Sequence, residues 1–402
     1  MSEQSYKYVI AGAGLAGMSA IEGIRELDKE GAILLIGNER LLPYDRPLLS
    51  KKLWFGKKKP EDVFGNNSSF YIENGVHMAL GTELVDLDAD IQTLADLQRN
   101  TYHYDKLLLA TGGTPRKLDI PGGDLWGISY FRYLEDYLRI RRDAADGKTA
   151  VVIGGGFIGS EIATALNTNG VNVTMIFPEA YLVSRVFPES LGNTIQNHFL
   201  ERGINILAGD IPASIEKYNG KFITFTGNGQ RLESDIVIAG LGIIPGTDLA
   251  EKAGLPVGNG VTVDRYLRTT NPAIYAAGDV ANFPYTAIGA TVRVEHWDNA
   301  KNQGKQAGRN MAGANEPYDY MPYFWSDLFE FGYEAVGDLN SKYDTFGDWQ
   351  IENNTGILYY LKNGKVCGVM TCNIYDKMDD ARKLILSGKQ VTPDDLRGAI
   401  KE

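Results

Sequence analysis

The same strand–turn–helix signature occurs twice in this chain, with Gly154 following Gly12 by 142 positions. Residues 6–11 (YKYVIA) predict a short buried strand. Gly12-Ala13-Gly14-Leu15-Ala16-Gly17 predicts a glycine turn, the run to Leu27 a helix, and Ala32–Ile36 a second strand after the turn Asp28–Gly31. Thr149–Ile153, Gly154-Gly155-Gly156-Phe157-Ile158-Gly159, residues 160–168 and Asn172–Phe177 repeat that order. In a GxGxxG turn the first glycine permits the tight bend, the second lets backbone approach a pyrophosphate, and the third lets helix and strand pack closely. The helix N-terminus adds amide donors and a partial positive charge. One match is weak evidence, because glycine turns are common. Two matches, each in strand–helix context and each followed by an acid at the right distance, specify two dinucleotide-binding units. The interval is too long for a solenoid repeat.

The acids bear on the ribose. Glu39, with Asn38 beside it, stands 22 residues past Gly17, and Glu179 stands 20 past Gly159. A carboxylate there accepts from both ribose hydroxyls and repels a 2′-phosphate, which favours NADH over NADPH at the second site. Arg185 pulls the other way, and an ordinary loop acid is the alternative reading of Glu179. Two further runs, LLLATGGTPR after Asp105 and IVIAGLGIIPG after Asp235, look like a matched pair of strands that open into turns at Gly112 and Gly242. Each closes one Rossmann-like unit.

With 402 residues, at about 150 per domain, two or three domains are expected. A formal net charge of −11 argues against nucleic acid or an anionic membrane as the default partner. Lys57-Lys58-Lys59 is either a local basic patch or a solvated loop. The two cysteines, Cys367 and Cys372, are too few for a stapled secreted domain and fit a reducing compartment. No apolar run reaches the roughly 18 residues of a membrane span. The first strand begins too early for a targeting peptide, so a cytoplasmic-type or already processed protein is expected.

Several segments resemble the two-dinucleotide flavoproteins. They are Pro43-Tyr44-Asp45-Arg46-Pro47-Leu48-Leu49-Ser50-Lys51, the turn Ala110-Thr111-Gly112-Gly113-Thr114-Pro115-Arg116, Ile274-Tyr275-Ala276-Ala277-Gly278-Asp279, Arg293-Val294-Glu295-His296 and Tyr323-Phe324-Trp325-Ser326-Asp327-Leu328. The branch is that of oxygenase-type ferredoxin and rubredoxin reductases and apoptosis-inducing factor. Leu48 and Asn299 depart from its usual proline and histidine. The resemblance implies an α/β fold with FAD in the first site and NAD(H) in the second. A discontinuous FAD domain (1–121 and 260–314) would receive an inserted NAD domain (122–259), followed by a C-terminal α+β domain (315–402) that covers the flavin.

The resemblance also implies site residues. Lys51 approaches the flavin N5 edge and pairs with Glu161, on the first turn of the second nucleotide helix. Glu295, His296 and Trp325 border the ring, and Arg46, Ala110, Thr111 and Gly112 belong with the FAD-binding set. Asp279 accepts from the ribityl chain or simply forms a turn. Phe157, beside Ile158 in the second glycine loop, either shields the flavin or packs. A helix beginning near Arg293 would aim its N-terminus at flavin N1. His77, His103 and His198 are read as structural or surface residues, and no metal is expected.

No cysteine precedes Cys367. In a predicted strand, Cys367 and Cys372 point to opposite faces and so serve packing rather than redox exchange. The electrons would therefore leave the flavin directly, for a small carrier protein such as ferredoxin or rubredoxin, a quinone or oxygen. An NADH-responsive signalling module with a long-lived reduced flavin–NAD complex is the alternative. A homodimer is left open.

Overall fold

Strands lacking a polar face belong in the middle of parallel sheets, where both sides are covered. The computed structural model describes residues 3–401 and places them so. Strand Ile33–Gly37 is buried along its whole length. It runs parallel to Glu3–Ala11, which is parallel in turn to Thr101–Leu109, with Ile10 opposite both Leu35 and Leu108. The first half of Thr101–Leu109 takes an antiparallel neighbour, Thr93–Asp96, and its second half a parallel one, Ile274–Ala276.

These strands lie in one of two compact units, formed by the chain up to Asp45, Glu61–Thr114 and Ile244–Pro322. Its helices Leu15–Leu27 and Trp297–Met311 cross at very close range. A Cβ on Gly304 would stand 2.2 Å from the Ala16 carbonyl oxygen, and one on Gly308 2.1 Å from that of Ala20. The second helix starts at Trp297, not near Arg293. Its N-cap, His296, has extended backbone angles (φ −112°, ψ 145°).

The other unit comprises Arg46–Pro60, Pro115–Ile243 and the chain from Tyr323 onward. It holds a parallel sheet in the order Asn205–Ala208, Asn172–Phe177, Thr149–Ile153, Ile236–Ala239, Ser129–Tyr130. A five-stranded antiparallel sheet follows in the order Tyr323–Leu328, Phe331–Gly337, Lys365–Cys372, Thr355–Lys362, Asp344–Ile351. Asn363 and Gly364, both at positive φ, join Thr355–Lys362 to Lys365–Cys372 in a two-residue turn whose twist suits a hairpin. Helix Met378–Ser387 packs on strands Phe331–Gly337 and Lys365–Cys372. Among the described residues no helix is long and apolar enough to cross a membrane.

Candidate functional site

In the first unit the three glycines of the first turn are needed for different reasons. Gly12 has φ +128°, and a Cβ on it would lie 2.1 Å from the Ala110 carbonyl oxygen. A Cβ on Gly17 would lie 2.2 Å from the Gly12 carbonyl oxygen. Around Gly14 a Cβ would meet no protein atom within 4 Å. The protein's own packing therefore explains Gly12 and Gly17 but not Gly14. Gly14 is the N-cap of helix Leu15–Leu27, where the first-turn amides have no intrahelical acceptor. Open space in front of those amides fits a pyrophosphate. Glu39 accepts a hydrogen bond from the Tyr44 hydroxyl at 2.7 Å, and Asn38 beside it is exposed. Ala110 donates its amide to the Ala11 carbonyl, and the Thr111 hydroxyl donates to the Gly246 carbonyl at 2.7 Å.

Asp279 lies in the one-turn helix Gly278–Val280, which is gripped from two directions. Gln303 accepts the Gly278 amide at 2.7 Å, and Arg293 donates to the Asp279 carbonyl at 3.1 Å. Arg293 also pairs with Glu295 at 2.6 Å. Burial pushes the His296 imidazole down to about 4, against the opposing charge of Asp279. Its ring is therefore neutral at physiological pH. The Trp297 indole donates to Asp45 at 2.7 Å. The sequence carries no sign of the Gln303 contact, because a lone helical glutamine makes no pattern.

The second unit repeats the glycine arrangement. Gly154 has φ +117° and a Cβ there would meet the Gly240 oxygen at 2.4 Å, while one on Gly159 would meet the Gly154 oxygen at 2.0 Å. Gly156 again faces open space and again caps its helix, Phe157–Thr168. Glu179 lies 4.0 Å from the exposed guanidinium of Arg185, too far for a tight ion pair. Gly242, at φ +82°, accepts the Arg116 amide. The Phe157 ring packs on Phe324 with centroids 5.3 Å apart, and Ile158 is exposed. Arg46 donates to the Arg132 carbonyl and stacks over Tyr133.

Lys51 and Glu161, 110 positions apart, meet in this unit at 2.6 Å, and both side chains are largely buried. The carboxylate also accepts from Ser50 at 2.5 Å and from Ser326, so three donors converge on it. Ser326 lies 3.3 Å from the Lys51 ammonium as well. The fully buried Tyr333 hydroxyl lies beside Ser326 without a well-formed hydrogen bond; burial first, then the Glu161 charge, push its phenol well up. Alternation along Tyr323–Leu328 turns Phe324 and Ser326 toward helix Phe157–Thr168. Trp325 lies on the other face beside Tyr323 and is not brought to the Lys51–Glu161 pair. Nothing in the sequence marks the two serines beyond their adjoining Lys51 and Trp325. Cys367 and Cys372 are free, on strand Lys365–Cys372. Among the described residues no cluster of acids, histidines and cysteines is placed to hold a metal ion.

Residues 6–304 match the model of the pyridine nucleotide-disulphide oxidoreductase family. The chain belongs to that family. Residues 307–355 match the C-terminal domain model of mitochondrion-associated apoptosis-inducing factor. The chain is similar to apoptosis-inducing factor 1, mitochondrial, of Dictyostelium discoideum, with 35% identity over 98% of this chain and 80% of that one. It is 32% identical to the ferredoxin–NAD(+) reductase component of the anthranilate 1,2-dioxygenase system of Burkholderia cepacia, over 97% and 96% of the two chains. It also superimposes on the ferredoxin reductase for the CYP199A2 system from Rhodopseudomonas palustris with a TM-score of 0.91 and 30% identity, covering 96% of both chains. This member of the family is an oxidoreductase that uses FAD and NAD(H). At Gly14 and Gly156 the protein leaves open space in front of a helix N-terminus, a setting that fits a dinucleotide pyrophosphate.

Proposed function

We propose that the protein oxidises NADH and passes the electrons to a small carrier protein of the ferredoxin or rubredoxin kind. The observation that carries this is the placement of the cysteines. No cysteine precedes Cys367, and in the strand that holds both, Cys372 is buried. A dithiol relay has nowhere to form, so the acceptor must come from outside. Bound flavin supplies the step that accepts hydride as an electron pair and releases it as single electrons. For one NADH, two oxidised carriers become two reduced carriers, NAD⁺ and one proton.

The chain's own part is to bind and orient. In this proposal residues 1–121 and 260–314 hold FAD, 122–259 hold NADH, and 315–402 form the third domain. Gly12, Gly14 and Gly17 admit the FAD pyrophosphate, Glu39 with Asn38 takes its ribose, and Asp279 takes the ribityl chain. Ala110, Thr111, Gly112 and Arg46 complete the FAD set. Glu295, His296 and Trp325 are assigned to the flavin ring, with His296 neutral. Gly154, Gly156 and Gly159, with Ile158 and Gly242 around them, admit the NADH pyrophosphate; Glu179 selects its unphosphorylated ribose against the pull of Arg185. Lys51 and Glu161 orient the nicotinamide end, and Phe157 screens it. A cytoplasmic location belongs to the same reading, supported by two cysteines that remain thiols.

Anaerobic stopped-flow mixing with NADH, followed by a second mix with oxidised ferredoxin, rubredoxin, quinone or oxygen, tests the proposal. Rapid reoxidation by a carrier supports it; reoxidation by oxygen or quinone alone removes the carrier. The match of residues 307–355 to the apoptosis-inducing factor domain favours a second reading, an NADH-responsive signalling module. Slow reoxidation by every acceptor, with an NADH-dependent change in oligomeric state, would select it.

A further inference from the structure

The segment Arg46–Pro60 carries six lysines and arginines and no acid, in a chain of net charge −11. Arg46 and Lys51 are engaged by the contacts described above. Lys52, Lys57, Lys58 and Lys59 are exposed, and among the described residues Lys52, Lys57 and Lys58 form no ion pair.

The turn that presents them is held on a firm base. Its amides close back on it, with Trp54 bonded to the Lys51 carbonyl and Lys57 to that of Lys52. Trp54 is buried, donates its indole to the Leu49 carbonyl at 2.7 Å and meets Tyr137 edge-on. The exposed guanidinium of Arg141 lies over the Trp54 ring at 5.6 Å and brings a further cation to the patch. Phe55, next in sequence, is left 41% exposed between the lysines. An exposed aromatic with a cationic rim on a preordered turn is the composition of a protein-docking surface that steers an acidic partner.

Building on the carrier reading above, we propose that this turn, centred on Phe55 and Lys57–Lys58, docks the acidic face of a small one-electron carrier protein. The overall charge favours a protein over an anionic bilayer. Charges act over a Debye length of about 8–10 Å in physiological salt, so a small carrier senses the local patch. A membrane plane would instead face the rest of an acidic molecule.

The test uses the FAD-loaded protein and an acidic [2Fe–2S] ferredoxin, with binding followed by calorimetry and reduction by steady-state rates. Lys57→Glu/Lys58→Glu should raise the Kd at low salt by at least about tenfold and raise KM in step, with the difference closing at about 0.5 M salt. Flavin reduction by NADH should be unchanged, which also shows that the variant is folded. Phe55→Ala should weaken binding at every salt concentration. Unchanged ferredoxin affinity in the charge-reversed variant overturns the docking site and leaves the carrier reading standing. So does binding to phosphatidylserine vesicles that the variant loses while ferredoxin affinity stays the same. A ferredoxin neither bound nor reduced by the unmutated protein, when a dye is reduced, removes the carrier reading and the docking site with it.

Discussion

Gly156→Ala should produce a well-folded protein that handles NADH badly. Gly156 has φ −83° and ψ −167°, which alanine adopts freely, and its new methyl meets no protein atom within 4 Å. Losing a glycine from the unfolded chain should add about 0.4–1 kcal/mol of stability. The methyl would occupy the space in which a pyrophosphate must come within about 2.9 Å of the helix amides. Retreat of the phosphate forfeits at least one charge-assisted hydrogen bond, worth about 1.5–3 kcal/mol, and so weakens NADH binding by roughly ten- to a hundredfold. Gly159→Ala gives the opposite result. Its methyl would stand 2.0 Å from the Gly154 carbonyl oxygen, an overpacking that costs about 1–3 kcal/mol of stability. Thermal unfolding of both variants, together with the NADH dependence of the anaerobic flavin-reduction rate, separates the two. If Gly156→Ala binds NADH as tightly as the unmutated protein, the open gap is not where the pyrophosphate lies.

Lys51→Ala should slow flavin reduction and destabilise by about 2–3 kcal/mol, less than the 3–5 typical of a broken buried pair because Ser50 and Ser326 still donate to Glu161. With Glu161→Ala it should show a coupling of at least about 1 kcal/mol in a double-mutant cycle, and additivity would mean that the pair does not act as one. Glu179→Ala should narrow the preference for NADH over NADPH in kcat/KM, and equal use of both by the unmutated protein would remove the ribose role. Burial pushes the Cys367 thiol up to about 11, so iodoacetamide at pH 8 should label the native protein far more slowly than the unfolded chain. Replacing both cysteines with serine should leave NADH oxidation nearly intact, and a folded variant that loses it would restore a redox role. The folded-state value of His296 lies near 4, below its usual 6.5, so the unfolded chain takes up a proton first as pH falls. Its contribution is present above about pH 6.5 and fades toward pH 4, by on the order of 1–3 kcal/mol. Apo-protein melts of His296→Gln should lack that slope.

Periodicity exposed the two nucleotide units because their strands are short apolar runs bounded by glycine. Thr149–Ile153 and Asn172–Phe177 have the bounds their apolar runs predict. The first strand begins earlier than its apolar run, at Glu3, because Glu3, Gln4 and Ser5 pair with Thr101–His103 and polar residues give no hydrophobic signal. Helix Phe157–Thr168 starts inside the glycine loop, where Gly156 already caps it. The partnership of Lys51 with Glu161 could be read only through family resemblance, since 110 residues separate them. Ser50, Ser326 and Gln303 are common residue types whose burial comes from contacts distant in sequence. The firm seating of the Lys57–Lys59 turn depends on Trp54 and Arg141, from different segments, and three lysines in a row say nothing about it.

The crossing of Leu15–Leu27 with Trp297–Met311 sets the timetable of synthesis. The helix that opens with the first glycine turn leaves the ribosome early, yet its partner face emerges only after about three quarters of the chain has been made. Until then Ala16 and Ala20 lack the Gly304 and Gly308 surface that covers them. Thr101–Leu109 likewise waits for Ile274–Ala276 to close its far edge. The first nucleotide unit thus spends most of translation with an open seam. If this unit holds FAD as proposed, nascent chains stalled before Met311 should emerge colourless.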